Sequence, residues 1–112
     1  MKLFHAAALA SLLALFATGC GGGYTCEDAC KAGNACPGAS QSDCAKVCGQ
    51  IATFNTASGC GVKWDAVLSC ADKNQSSACA SGSSTICQAE TKVYIDCLSA
   101  FCTAHSSDTN CK

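Results

Sequence analysis

The chain of 112 residues is long enough for one small domain, and thirteen of its residues are cysteine. Its formal net charge at pH 7 is −1, and its seven basic residues are all lysines that lie singly along the chain. Because lysine and arginine form no cluster, the sequence excludes the basic footprint that nucleic acid or anionic head groups require. We therefore expect no nucleic-acid partner.

Residues 1–19 have the features of an export signal. Lys2 supplies a positive charge, and residues 3–17 are almost entirely apolar. This run of about 15 residues is shorter than the roughly 20 that a transmembrane helix needs. Residues 17–20, Ala-Thr-Gly-Cys, resemble the junction of bacterial lipoprotein signals, which implies cleavage before Cys20 and acylation of that cysteine. The alternative is ordinary signal cleavage of a soluble secreted protein.

The number of cysteines favours lipidation of Cys20. An odd cysteine in an exported protein would otherwise be a free thiol or join two chains, and acylation of Cys20 leaves 12 of the 13 cysteines, an even set. We expect residues 20–23 to be the lipidated cysteine and a glycine tether, and residues 24–112 to form the folded domain. The membrane is then a partner through the acyl chains on Cys20, at the bacterial cell envelope and its outer membrane.

The first half of the folded domain predicts two helices. Thr25 followed by Asp28 is typical of a capping box, so a first helix is predicted over residues 24–34. Ser42 is the predicted N-cap of a second helix that ends near Phe54, where the three-four spacing of apolar side chains stops. Both helices carry a pair of cysteines on one face.

The second half repeats this organisation. A third helix is predicted over residues 61–73, followed by a serine-rich loop over 74–84. Thr85 with Gln88 indicates a second capping box, which would open a fourth helix over residues 86–104. The expected fold class is all-α: a small disulfide-rich four-helix domain made of two antiparallel helical hairpins, after an N-terminal signal peptide. Large apolar side chains are few, so disulfides supply the missing constraint.

The spacing of the cysteines predicts how the helices pair. Cys26 and Cys30 are four residues apart, as are Cys44 and Cys48 on the next helix. Antiparallel helices bring the start of one beside the end of the other, so equal spacings form two nested disulfides. The third and fourth helices repeat the pattern at an interval of ten residues, and the loop and tail cysteines remain to pair among themselves. The predicted disulfides are Cys26 with Cys48, Cys30 with Cys44, Cys60 with Cys97, Cys70 with Cys87, Cys36 with Cys79, and Cys102 with Cys111.

These twin spacings resemble the Cys-x3-Cys and Cys-x9-Cys hairpins of small mitochondrial intermembrane-space proteins. Because the export signal is of the bacterial type, we take this likeness to be one of geometry and infer no function from it. Over residues 1–112, the succession of paired cysteines on helices is similar to small cysteine-rich predicted lipoproteins that are abundant in myxobacteria. This resemblance implies a scaffold and a location, and it implies no activity.

The residues that could carry chemistry are few. Zinc sites and thioredoxin-like sites use Cys-x2-Cys pairs, which this chain lacks, so we expect no metal and no cofactor. His105 is the single histidine after the signal peptide, and every cysteine other than Cys20 has a predicted disulfide partner. A catalytic cysteine would need a free thiol next to a histidine, so we expect no catalytic residue and no enzyme. The predicted function is a non-catalytic binding or structural module with an unknown envelope or extracellular protein partner.

Two other functions stay open. The first is a carrier of a small hydrophobic ligand in a helical-bundle cavity, which Trp64, Tyr94 and Phe101 could line if they were not plain core residues. The second is a protease inhibitor that presents Lys31 beside Cys30.

Overall fold

A computed structural model describes residues 23–80 and 85–112, and helix α1 spans Cys26–Asn34. The predicted capping box is confirmed at its start. The Thr25 hydroxyl accepts a hydrogen bond from the Asp28 backbone N–H at 3.1 Å, and the Asp28 carboxylate accepts one from the Thr25 backbone N–H at 2.9 Å. The predicted signal peptide, residues 1–19, and the predicted lipidation site Cys20 lie outside the described residues.

Helix α2 spans Cys44–Ser58 and ends four residues later than the sequence predicts. Asp43 is the N-cap in place of the predicted Ser42, because its carboxylate accepts a hydrogen bond from the Lys46 N–H at 3.1 Å. The helix ends at Gly59, whose φ of 72° lies in the left-handed region that glycine adopts at little cost.

Helix α3 spans Gly61–Lys73 as predicted, and a short 3₁₀ helix at Gln75–Ser77 lies within the predicted loop. Helix α4 spans Gln88–Ala104, so it begins two residues later than predicted. The predicted capping box of Thr85 and Gln88 does not open this helix. Its N-cap is Cys87, which has a φ of 60° and makes no side-chain capping bond.

The helices form the two predicted antiparallel hairpins, α1 with α2 and α3 with α4. Helix α3 packs most extensively on α4 and also contacts α1 and α2, so it joins the hairpins. Each hairpin is closed by two nested disulfides, and a fifth disulfide links the loops while a sixth holds the tail. The six pairs are the same as those predicted: Cys26 with Cys48, Cys30 with Cys44, Cys60 with Cys97, Cys70 with Cys87, Cys36 with Cys79, and Cys102 with Cys111.

The core is small and consists largely of sulfur and aromatic rings. Among the described residues, only Cys44, Cys60 and Tyr94 are buried, and Cys60 is fully so. The ring centroids of Trp64 and Tyr94 are 5.2 Å apart. Since apolar burial is limited, the disulfides contribute a large share of the constraint on the folded state, at about 2–4 kcal/mol each.

Candidate binding site between the hairpins

The predicted disulfide cysteines carry no free thiol in the described part of the chain. All twelve cysteines there are bonded, with Cα–Cα distances from 5.3 Å between Cys36 and Cys79 to 6.0 Å between Cys60 and Cys97. These distances fall inside the usual range for disulfides. Thirteen cysteines less these twelve leaves one, Cys20, which lies outside the described residues.

One group of possible metal ligands occurs in the described residues, at Cys70, Cys87 and Glu90, whose ligand atoms lie within 4.8 Å of one another. Cys70 and Cys87 are bonded to each other. Because a metal binds the thiolate and a disulfide sulfur is not one, Glu90 is the single ionisable donor of this group. The arrangement is therefore that of a carboxylate beside a disulfide.

His105 lies at the carboxyl end of α4 and contacts Phe101, one turn earlier. Its Nδ1 is 3.1 Å from the Phe101 carbonyl oxygen, and its ring stacks on the Phe101 ring with centroids 4.5 Å apart. The imidazole thus lies beside the last turn of α4. No thiol in the described residues is available for it to activate.

Three ionisable groups in the described part of the chain have shifted pKa values, and local structure explains each shift. Hydrogen bonds from the Thr25 hydroxyl and N–H hold the pKa of Asp28 below its ordinary value. The backbone N–H and side-chain amide of Asn110 do the same for the pKa of Asp108 in the tail. Removal of its phenol from water raises the pKa of Tyr94. Two of these groups stabilise turns or helix ends, and the third is in the core.

Three further acids and Lys31 lie at a helix start or at exposed helix positions. Asp43 caps α2, as noted above, and Glu27 forms an exposed ion pair with Lys31 one turn along α1 at 3.4 Å. Lys31, the residue that a protease inhibitor would present, lies within α1. Asp65 is an exposed residue of α3.

The aromatic rings that could line a ligand cavity pack against other rings. Trp64 contacts Tyr94, and Phe101 packs edge-on against Phe54 with ring centroids 6.1 Å apart. The Tyr94 hydroxyl donates a hydrogen bond to the Asn55 side-chain oxygen at 2.8 Å. Trp64 also lines an open groove of about 400 Å³ together with Val47 and Ile51 of α2.

A cleft of about 280 Å³ lies elsewhere, between α1, the second half of α3 and the start of α4. Its walls are mainly apolar and consist of small residues with a few larger ones. They include Tyr24, Ala29, Ala32, Val67, Ala71 and Ile86. Asn74 is a polar group at its edge, and the Asn74 amide donates a hydrogen bond to the Cys70 carbonyl at 2.8 Å. The cleft is a partly enclosed, mainly apolar space between the two hairpins.

Sequence reasoning missed this cleft because alanine at these positions is equally typical of an ordinary helix. A cleft forms where small side chains from separate helices face each other, and the sequence does not show which alanines do so. The helix periodicity marks Ala71 as part of the buried stripe of α3. It gives no indication that Ala71 faces an open cleft between α3 and α1.

No protein-family model, curated protein or solved structure matches this chain. Six disulfides in a small domain are typical of an oxidising, extracytoplasmic environment. None of the helices in residues 23–80 and 85–112 has the length and hydropathy to cross a bilayer.

Proposed function

We propose that this protein is a lipid-anchored, non-catalytic binding or structural module of the bacterial cell envelope. One observation carries the proposal: every cysteine of the described domain is bonded to another, and Cys20 alone is left over. An exported protein rarely keeps one unpaired thiol, and acylation at the predicted junction accounts for it. The pairing also leaves the domain without a cysteine nucleophile.

The short tether supports display of the domain close to a membrane. Six residue steps separate Cys20 from Cys26, where α1 begins, which corresponds to at most about 20 Å of extended chain. Acyl chains each contribute about 0.8 kcal/mol per buried methylene, so two or three chains hold the protein firmly. The partner is an envelope or extracellular protein within this reach, and the scattered lysines disfavour nucleic acid.

Metabolic labelling with radioactive palmitate tests the anchor. The wild-type chain is expected to take up label, and Cys20→Ser is expected to abolish it. The matched control is the double variant Cys102→Ser/Cys111→Ser, which removes one disulfide, keeps Cys20 and is expected to remain labelled. An unlabelled wild type, or label that persists in Cys20→Ser, would refute the anchor.

The cleft between the hairpins supports a second candidate function, a carrier of a small hydrophobic ligand. Its volume of about 280 Å³ is near the lower end of small-molecule sites, and its walls are mainly apolar. The ligand would lie against Ala71 and Val67 of α3 and not between the rings of Trp64 and Tyr94, which contact each other.

Binding of the fluorescent apolar probe N-phenyl-1-naphthylamine tests the carrier. Ala71→Phe places a ring in the cleft and is expected to weaken probe binding by about tenfold or more. Ala100→Phe adds the same ring to an exposed position of α4, outside the cleft, and is expected to leave binding unchanged. Equal loss in both variants would count against the cleft, and so would an absence of probe binding to the wild type.

A further inference from the structure

The outer side of the second hairpin carries an exposed apolar groove between α3 and α4. Val62 and Ala66 line it from α3, and Ala89 and Val93 line it from α4. Val62 is 76% exposed and Val93 is 49% exposed. The groove has a volume of about 330 Å³. Such apolar patches are typical of interaction surfaces.

Two charged residues of opposite sign accompany this groove, Lys63 on α3 and Glu90 on α4. In the described residues the ion pairs are Lys31 with Glu27 and Lys92 with Asp96, so neither Lys63 nor Glu90 has an ionic partner. One helix thus contributes the positive charge and the antiparallel helix the negative one. This is the pattern of a surface that is complementary to itself under a two-fold rotation.

We propose that two copies of this chain associate through the groove, α3 of each copy lying over α4 of the other. A two-fold axis that runs parallel to the helices, between the two copies, produces this arrangement and places Val62 and Val93 of both copies in the interface. The other sides of α3 are already covered, because α1, α2 and α4 pack against it. The result is a four-helix bundle built from two hairpins.

The disulfides set the register in which the charges meet in this dimer. Cys60 is bonded to Cys97 and Cys70 to Cys87, so Lys63 is level with residue 94 on the neighbouring helix, four residues from Glu90. Four residues correspond to about 6 Å along the helix. The flexible four-carbon stem of lysine spans such a distance. Lys63 of each copy therefore reaches Glu90 of the other, and two ion pairs form per dimer.

Sedimentation velocity of the full chain, exported by the cell and extracted in density-matched mild detergent, tests the proposal. The wild type is expected to be a dimer that dissociates on dilution. Val93→Lys introduces a charge at the centre of the groove and is expected to weaken association by at least about tenfold. Ile95→Lys is the matched control, since Ile95 lies on another face of α4, is 53% exposed and is expected to leave association unchanged.

A charge exchange makes the test specific for the proposed orientation. Lys63→Glu and Glu90→Lys are each expected to weaken association severalfold, and the double variant Lys63→Glu/Glu90→Lys is expected to restore it. Restoration also shows that both substitutions are compatible with the fold. The proposal is overturned by a wild type that is monomeric at every concentration, by equal effects of Val93→Lys and Ile95→Lys, or by a double variant no better than the single ones.

Discussion

Two residues next to helix ends adopt left-handed backbone conformations, and their causes differ. Gly59 ends α2 with a φ of 72°, which glycine allows because it has no Cβ. Cys87 precedes α4 with a φ of 60°, although it has a side chain. Its disulfide to Cys70 holds it in place, so tertiary structure offsets the local strain there.

Two glycine substitutions in one region separate backbone strain from helix propensity. Gly59→Ala is expected to lower the free energy of unfolding by about 1–2 kcal/mol, because alanine resists a left-handed φ. Gly49→Ala, inside α2, is expected to raise it by about 0.5–1 kcal/mol, because alanine favours the helix. A Cβ at either position meets no atom within 4 Å, so neither effect involves packing. Guanidinium unfolding followed by Trp64 fluorescence measures both, and effects of equal sign would contradict this account.

At the scale of the elements, contact with α4 explains why α2 runs beyond its predicted end. Residues 55–58 are polar and small, and by propensity they interrupt the helix. In the structure the Asn55 side chain accepts the hydrogen bond from the Tyr94 hydroxyl of α4, and its carbonyl accepts one from the Gly59 N–H at 2.9 Å. A residue that locally favours a turn is therefore kept helical by a partner 39 positions away.

Tyr94→Phe removes this link while preserving the ring. It is expected to lower the free energy of unfolding at pH 7 by about 1 kcal/mol, the usual value for one intramolecular hydrogen bond. Tyr24→Phe is the control, because Tyr24 lies at the start of the domain and is partly exposed. Unfolding in guanidinium measures both variants, and a loss that is equal in the two would refute a specific role for the bond between Tyr94 and Asn55.

The same tyrosine predicts a sensitivity to alkaline pH. Because the pKa of Tyr94 is raised above its ordinary value of 10.0, the folded state keeps the phenol proton more tightly than the unfolded state. Its contribution is fully present below pH 10 and is lost as the pH rises through the folded-state pKa. The wild type is expected to lose stability more steeply above pH 10 than Tyr94→Phe. Parallel pH profiles of the two proteins would contradict this expectation.

For the whole molecule, the disulfide between Cys36 and Cys79 closes the longest loop. It spans 43 residues and joins the loop after α1 to the turn after α3, whereas the tail disulfide between Cys102 and Cys111 spans nine. A disulfide stabilises chiefly by restricting the unfolded chain, and this effect increases slowly with the length of the loop. The disulfide between the hairpins is therefore expected to contribute more than the one in the tail.

Paired alanine substitutions compare these two disulfides. Removal of Cys36 and Cys79 is expected to cost about 4 kcal/mol and removal of Cys102 and Cys111 about 2.5 kcal/mol, from the lengths of their loops. Thermal and guanidinium unfolding measure the difference. A larger loss for the tail disulfide would show that strain or residual structure, and not loop length, sets the order.

The sequence by itself determined the helical hairpins and the pairing of their cysteines. Helix geometry turns a spacing along the chain into a distance along an axis, so the equal intervals of Cys26, Cys30, Cys44 and Cys48 are sufficient to predict nested disulfides. The capping box at Thr25 was predictable for a similar reason, since all its hydrogen bonds lie within four residues. Local features such as these are predictable because their geometry depends only on residues nearby in the sequence.

Only the tertiary structure decided the end of α2, the start of α4 and the two surfaces proposed for binding. Asn55 is helical and is held by its hydrogen bond with Tyr94. Cys87, which is bonded to Cys70, is the N-cap of α4, although Thr85 and Gln88 predict an earlier start of this helix. The cleft at Ala71 exists where side chains of α1, α3 and α4 meet, and the groove at Val62 exists where α3 and α4 leave Val62 and Val93 exposed. Such features depend on how the helices pack together, and periodicity within one helix does not contain that information.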